Sequence, residues 1–418
     1  MTGAAAPAGW SFPLRTMQAV GIELEYMIVD RETLDVAPIA DRLLREAAGA
    51  ADWVSDFEPA HGEGIGWSNE LVNHVFELKT ASPVDSFDGL AGRFQRQVAA
   101  ADRRLAAFGA RLMPGAMHPW MDPLVETRLW THEQNPVYER YDAIFSCRGH
   151  GWSNLQSSHL NLPFGDDLEF GRLHAAVRLV LPLLPALAAS SPVMDGERTG
   201  IADSRLAAYR QNCRKIPSIT GQVIPEPVYD RSAYERVILD RIERDVRPFD
   251  PEGVLRPDFT NSRGAIARFD RGSIEIRVLD VQEHPAADLA IAELACRTIS
   301  ALLDERWVSL EEVGALPTRG LVEALEATIR DAEHAVVRHP GLLRALGVGG
   351  DVASAGRIWA EIGAALPPGE PELAAPLRTL VTEGSLSTRI SQALDGGRCL
   401  RDVYEELCDC LLAGRSFV

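Results

Sequence analysis

With 418 residues, 46% of them hydrophobic and 24% charged, the chain can bury a large core and is too apolar to be disordered. Its formal net charge of -18 argues against nucleic acid or an anionic membrane as partner, though not against a nucleotide held at a locally cationic site. Met1 to Trp10 lacks the basic start and aliphatic run of a signal peptide, and the most hydrophobic stretch, Leu179 to Ala189, is too short to span a bilayer.

In chain order, the first patterned element is Val20-Gly21-Ile22-Glu23-Leu24-Glu25-Tyr26. Side chains alternate along a strand, so Glu23 and Glu25 share one face while Ile22, Leu24 and Tyr26 take the other. His74 to Thr80 repeats the pattern, setting Glu77 against Phe76 and Leu78. Between them, Gly62, Gly64 and Gly66 read as a flexible segment, either a lid over the nucleotide or a disordered linker. After a turn at Ser82-Pro83, apolar residues at helical spacing (Leu90, Phe94, Val98, Ala101, Leu105, Phe108) predict a helix. A loop-rich region with His118-Pro119-Trp120 leads to a third strand, Ser157 to Leu162, which pairs His159 with Asn161 against two leucines. The helix from Glu169 to Ala189 must kink or end at Pro182 and Pro185. Ala265 to Leu279 reads as a hairpin turning near Gly272; its second strand sets Glu275 beside Arg277, with Ile274, Ile276 and Val278 opposed. A helix over Ala287–Leu303 follows, and the remainder is helical, with Leu321, Leu325, Ile329 and Val336 as a core-facing stripe. The tail is expected to pack on the convex or lateral side of the sheet and to supply no metal ligand. The six cysteines (Cys147, Cys213, Cys296, Cys399, Cys408, Cys410) show no disulfide framework and read as free thiols, from which a cytoplasmic protein is expected. Strands that do not alternate regularly with crossover helices define an α+β class.

If the four strands share a sheet, four glutamates, a histidine and an arginine meet on one surface, and the cluster repels itself unless cations sit in it. Oxygen donors with one imidazole suit magnesium, or manganese, better than zinc. Such an ion commonly neutralises phosphates, yet the chain has no P-loop; His61-Gly62-Glu63-Gly64-Ile65-Gly66 lacks the lysine and the spacing. ATP must then bind through metals on a sheet surface and through arginines. Arg205, Arg210 and Lys215 are candidate cations for an anionic acyl substrate, and His118 is a candidate amine-proton acceptor or a structural turn residue.

Gly21-Ile22-Glu23-Leu24-Glu25, Phe76-Glu77-Leu78-Lys79-Thr80, His159-Leu160-Asn161 and Ile274-Glu275-Ile276-Arg277 resemble, in order, the motifs of the bacterial glutamate–cysteine ligase family. The branch of ATP-dependent carboxylate–amine ligases is the most similar: Ala116 to Trp120 resembles its His-Pro motif, and Thr199-Gly200 with Ser204-Arg205 its Thr-Gly…Ser-Arg segment. The resemblance implies a glutamine-synthetase-like fold, a curved antiparallel sheet with flanking helices. It also implies three segments: an extension over 1–17, a catalytic domain over 18–303 and a helical region over 304–418 packed on it. Carried over by position, Glu23, Glu25, Glu77, His159 and Glu275 match metal ligands and Arg277 a phosphate-contacting arginine, with Glu77 and Arg277 as catalytic residues. Asn161 matches a site position assigned here to ATP. Two departures stand out: Ser157 to Asn161 replaces a Gly-x-His-x-His-type segment, and the tail runs farther past the last motif than the branch leads one to expect.

The implied activity joins a carboxylate, first of all the γ-carboxylate of glutamate, to an amine such as cysteine through an acyl phosphate, with ATP and magnesium. The alternatives are a ligase of the same fold for another acid and amine, a metal-dependent hydrolase using the same acids, and a non-catalytic binding protein. The partners expected are small molecules, with homo-oligomerisation left open.

Overall fold

The computed structural model describes residues 10–133, 135–367 and 369–418. Its centre is an eight-stranded antiparallel sheet. The strands are β1 (Gly21–Asp30), β2 (Asp56–Phe57), β3 (Ile65–Asn69), β4 (Val75–Thr80), β5 (Ala110–Met113), β6 (Ser157–Pro163), β7 (Ala265–Arg268) and β8 (Ser273–Asp280). They lie in the order β2-β3-β4-β1-β6-β8-β7, with β5 paired to the far half of β1. The four strands anticipated from alternation are therefore neighbours, β4-β1-β6-β8.

Alternation fixes which face is dry. Ile22, Leu24, Tyr26, Phe76, Leu78, Leu160, Leu162, Ile274 and Ile276 are all buried in one apolar core. Helices Leu90–Ala106, Asp167–Val180 and Pro285–Leu303 contribute to the same core. Phe108 falls beyond the first of these, which ends at Ala106 before the left-handed Gly109. Pro182 and Pro185 end the Asp167 helix as the spacing requires: a short 3-10 turn over Leu181–Leu183 and a new helix at Pro185 follow.

The glycine-rich segment is not a loose cover. Gly62 donates to Pro59 O and accepts from Ile65 N, Gly64 donates to Glu58, and Gly66 lies inside β3 opposite Lys79. It forms the bonded turn between β2 and β3. At the other hairpin, Gly272 adopts a positive φ of 73°, and the ring of Phe12 packs where a Cβ would stand. Trp10 and Phe12 lie edge-on to Phe164, so the described part of the 1–17 extension is docked on the domain.

The core also runs without a break past residue 303: Leu321, Leu325, Ile329, Trp359 and Leu380 belong to the same buried cluster as β1, and Trp359 donates to Leu183 O. The stripe is one residue shorter than expected, because the helix ends at Asp331 and Val336 is an exposed residue of a two-residue strand paired with Ala353–Ser354. The last helices depart from expectation more sharply. Met27 and Val29 continue the face of β1 that carries Glu23 and Glu25. They are covered by Leu386, Ile390, Val403, Tyr404 and Leu407 from helices Leu386–Asp395 and Leu400–Ala413. This part of the tail sits on the acid face, not the convex side, because β1 turns apolar on that face after Glu25. Among the described residues no helix is long and apolar enough to cross a membrane.

Candidate active site

Strand register brings the acids together. Glu25 lies opposite Glu77 of β4, while Glu23 lies opposite Lys79 on one side and His159 on the other. Glu275 lies opposite Asn161. Cross-strand partners stand about 5 Å apart at Cβ, so the side chains meet. Carboxylate oxygens of Glu23 and Glu77 and a ring nitrogen of His159 come within 4.8 Å of one another, and so do oxygens of Glu25, Glu70 and Glu77. Glu77 is common to both groups.

The side chains are held by neighbours on the same face. His159 Nδ1 is 2.8 Å from Glu23 Oε2, and Asn161 donates to the other Glu23 oxygen at 3.1 Å. Ser157 donates its N–H and its hydroxyl to Glu25 at 2.7 and 3.0 Å. Ser68 donates to Glu77, and Lys79 Nζ stands 3.5 Å from the same carboxylate. Burial opposes ionisation of Glu23, but the bond to His159 and the charges of His159, Arg277 and Lys79 outweigh it and hold the acid at about 2. Glu77 goes the other way, to about 7, through burial and the charge of Glu23 against weaker help from Lys79 and Ser68. Glu70 is pushed well above the usual range by burial and the charges of Glu25, Glu77 and Glu23, which outweigh the charge of Arg277. Burial works against the proton on His159, but its bond to Glu23 and the charges of Glu25 and Glu23 outweigh that and raise its pKa. A buried face with more carboxylates than cations, all oxygen donors but one, fits a hard divalent ion.

A cleft of about 350 Å³ opens over this face. Arg277 and Arg268 close its β8–β7 flank, where both neutralise Glu275: Arg277 Nε is 2.8 Å and Arg268 Nη1 3.4 Å from its oxygens. Glu275 is thus engaged by two guanidinium groups and belongs to neither metal-competent group among the described residues.

Of the candidate substrate cations, Arg205 reaches the cleft, but buried and bonded to Asp280. A one-residue shift in the pairing of β8 with β6 between Ile276 and Leu279 reverses the alternation, so Asp280 arrives on the acid face opposite Ser157. There it also accepts from Ser190 N and Ser191 Oγ. Arg210 lies outside, paired with Glu326, and Lys215 donates to Ile144 O and covers the Phe249 ring. His118 is fully buried, its Nε2 2.8 Å from Leu34 O, and burial lowers its pKa to about 4. It holds the turn, which is the structural alternative for this residue, while packing directs Arg210 to a surface acid and Lys215 to a backbone carbonyl instead of the cleft. Glu70, Lys79 and Arg268 were missed. Lys79 and Arg268 could have been found by extending the alternation of β4 and β7; Glu70, just beyond the end of β3, carries no periodic signal.

The fold resembles that of glutamate–cysteine ligase from Francisella tularensis, solved in complex with AMP: TM-score 0.57 at 13% identity, covering 97% of this chain and 90% of that one. A bifunctional glutathione synthetase from Pasteurella multocida matches at TM-score 0.54 and 13% identity, over 95% of this chain and 52% of that one. The model of glutamate-cysteine ligase family 2 matches residues 19–406, and the chain belongs to that family. The match takes in nearly all of the tail, which is therefore part of the family's extent. An uncharacterized protein of Archaeoglobus fulgidus is 33% identical over 74% of this chain and 79% of its own length. A Bradyrhizobium protein (strain ORS 278), provisionally named glutamate–cysteine ligase 2, is 29% identical over 67% of this chain. The matched stretch spans 60% of that relative.

Proposed function

We propose that this protein is an ATP- and magnesium-dependent carboxylate–amine ligase that forms ADP. Its first candidate substrates are the γ-carboxylate of glutamate and the amine of cysteine, joined through an acyl phosphate. What carries the reading is the pair of carboxylate groups sharing Glu77 on the face of β4, β1 and β6, beside the arginines of β7 and β8. Family membership supports it.

A carboxylate is a poor electrophile, so an oxygen of the acid attacks the γ-phosphorus and ADP leaves; the amine then attacks the carbonyl carbon, loses a proton, and phosphate leaves. Magnesium, when bound, spreads the polyphosphate charge. Glu23, Glu25, Glu70, Glu77 and His159 would hold it. Asn161 orients Glu23, and Ser157 orients Glu25. Arg277 and Arg268 offer guanidinium protons to the transferring phosphoryl group, with Glu275 fixing both. The aromatic wall of Tyr138, Tyr141, Trp152 and Phe259 narrows access of water to the acyl phosphate.

The test is ADP release over a panel of amines with glutamate constant, then over a panel of acids. Magnesium-dependent ADP release that requires both an acid and an amine is expected. ADP release indifferent to the amine would instead indicate hydrolysis.

A further inference from the structure

Arg205 lines the cleft and yet has little to give a ligand, since only 2% of its side chain is exposed. Its Nε donates to Asp280, and both terminal nitrogens point at one main-chain oxygen, that of Arg277, at 3.4 and 3.5 Å. That carbonyl stands inside the bulge of β8, where the ladder to β6 breaks off after Ile276 and resumes at Leu279. A bulge bends the strand and interrupts its ladder, so its shape depends on what grips it from outside.

This bulge is gripped on two sides. Just before β7, Gly264 O accepts the N–H of Arg277 at 2.8 Å, and Val278 fills the space where a Gly264 Cβ would stand. Arg205 supplies the second grip and is itself held fast. It lies in the first turn of the short helix Ser204–Tyr209, whose buried cap Asp203 accepts from Leu206 N at 2.7 Å. The N–H of Arg205 donates to Ser191 Oγ at 3.1 Å, and Asp280 accepts two further bonds, from Ser190 N and Ser191 Oγ, at 2.9 Å each. What leaves the bulge toward the cleft is the side chain of Arg277, 30% exposed and tied by Nε to Glu275. Where that guanidinium points follows from the main chain that Arg205 holds.

We infer that Arg205 is a positioning residue and not a substrate-binding one: paired with Asp280, it clamps the β8 bulge and so aims Arg277 at the transferring phosphoryl group. The inference rests on the ligase reading.

Arg205→Met alone would leave Asp280 buried without its partner, so the experiment joins it to Asp280→Leu, which removes both charges together. In the ADP-release assay this paired variant should lose about 100-fold in kcat, the cost of shifting a catalytic group by roughly an ångström, while KM for the acid stays put. Added to Arg277→Met, the same pair should cost nothing further, because the group it aims is gone. An unchanged kcat, a rise in KM for the acid, or losses that multiply in the combined variant overturns the inference. Should no acid and amine support turnover, the ligase reading fails on its own account, and solvent exchange of the Arg277 Nε–H, followed by NMR, decides the clamp. Faster exchange in the paired variant, with the Arg268 Nε–H unchanged, upholds it; no change at Arg277, or equal acceleration at both arginines, overturns it.

Discussion

Glu77 is where the two carboxylate groups meet, and its behaviour is the sharpest residue-level test of the site. Its folded pKa, about 7, exceeds its ordinary 4.5, so the metal-free fold binds this proton more tightly than the unfolded chain. The stability that the proton confers is complete below 4.5 and is lost as pH rises through 7. Metal-free protein should therefore be less stable at pH 8 than at pH 6, and melt lower, by about 1 kcal/mol from this group. Magnesium should restore more at the higher pH, with protons released from Glu77 and His159 on binding. Glu77→Gln should abolish turnover and flatten this part of the metal-free profile without lowering thermal stability at pH 8; calorimetric melts with and without chelator read both. A mutant that melts well below the wild type when both are metal-free contradicts the account. The central residues were legible because a period-2 pattern exposes Glu23, Glu25, Glu77 and His159 on one face before any contact is known. The surroundings of Arg210 and Lys215 were not, since charge alone cannot say whether a side chain meets a substrate, a surface acid or a backbone carbonyl.

At the scale of elements, the bulge in β8 does what uniform alternation cannot. One extra residue between Ile276 and Leu279 keeps Glu275 and Asp280 on the same face although an odd spacing separates them. Asp280 then buries Arg205 as an ion pair, both side chains at most 2% exposed. Asp280→Asn should strand that guanidinium and cost about 3–5 kcal/mol in denaturant unfolding. Asp280→Leu with Arg205→Met should recover much of that, because neither charge is then left alone. Equal loss in the single and double variants would mean that the pair is not what matters. The strands and long helices could be read from periodicity and proline positions. The bulge could not, because it depends on how β6 pairs. The same applies to Val336, which continues the spacing of Leu321, Leu325 and Ile329 after the helix that carries them has ended.

For the molecule as a whole, the C-terminal helices are part of the domain. They extend the core behind the sheet and, through Leu386 to Leu407, cover the apolar half of the acid face at Met27 and Val29. Ending the chain at residue 385 should expose Met27, Val29 and Met113 at about 2–3 kcal/mol for each side chain, and the protein should lose its cooperative melt. A truncated protein that melts cooperatively near the wild-type temperature would contradict a shared core. The face that these helices leave open concentrates carboxylates beside the arginines of β7 and β8, and activation of an acid by direct phosphorylation is the chemistry proposed for it. Glutamate labelled with heavy oxygen in its side-chain carboxylate tests that most directly. During turnover with ATP, magnesium and an accepted amine, one labelled oxygen should pass into the inorganic phosphate released, with ADP as the nucleotide product; label in AMP, or phosphate free of label, would contradict it.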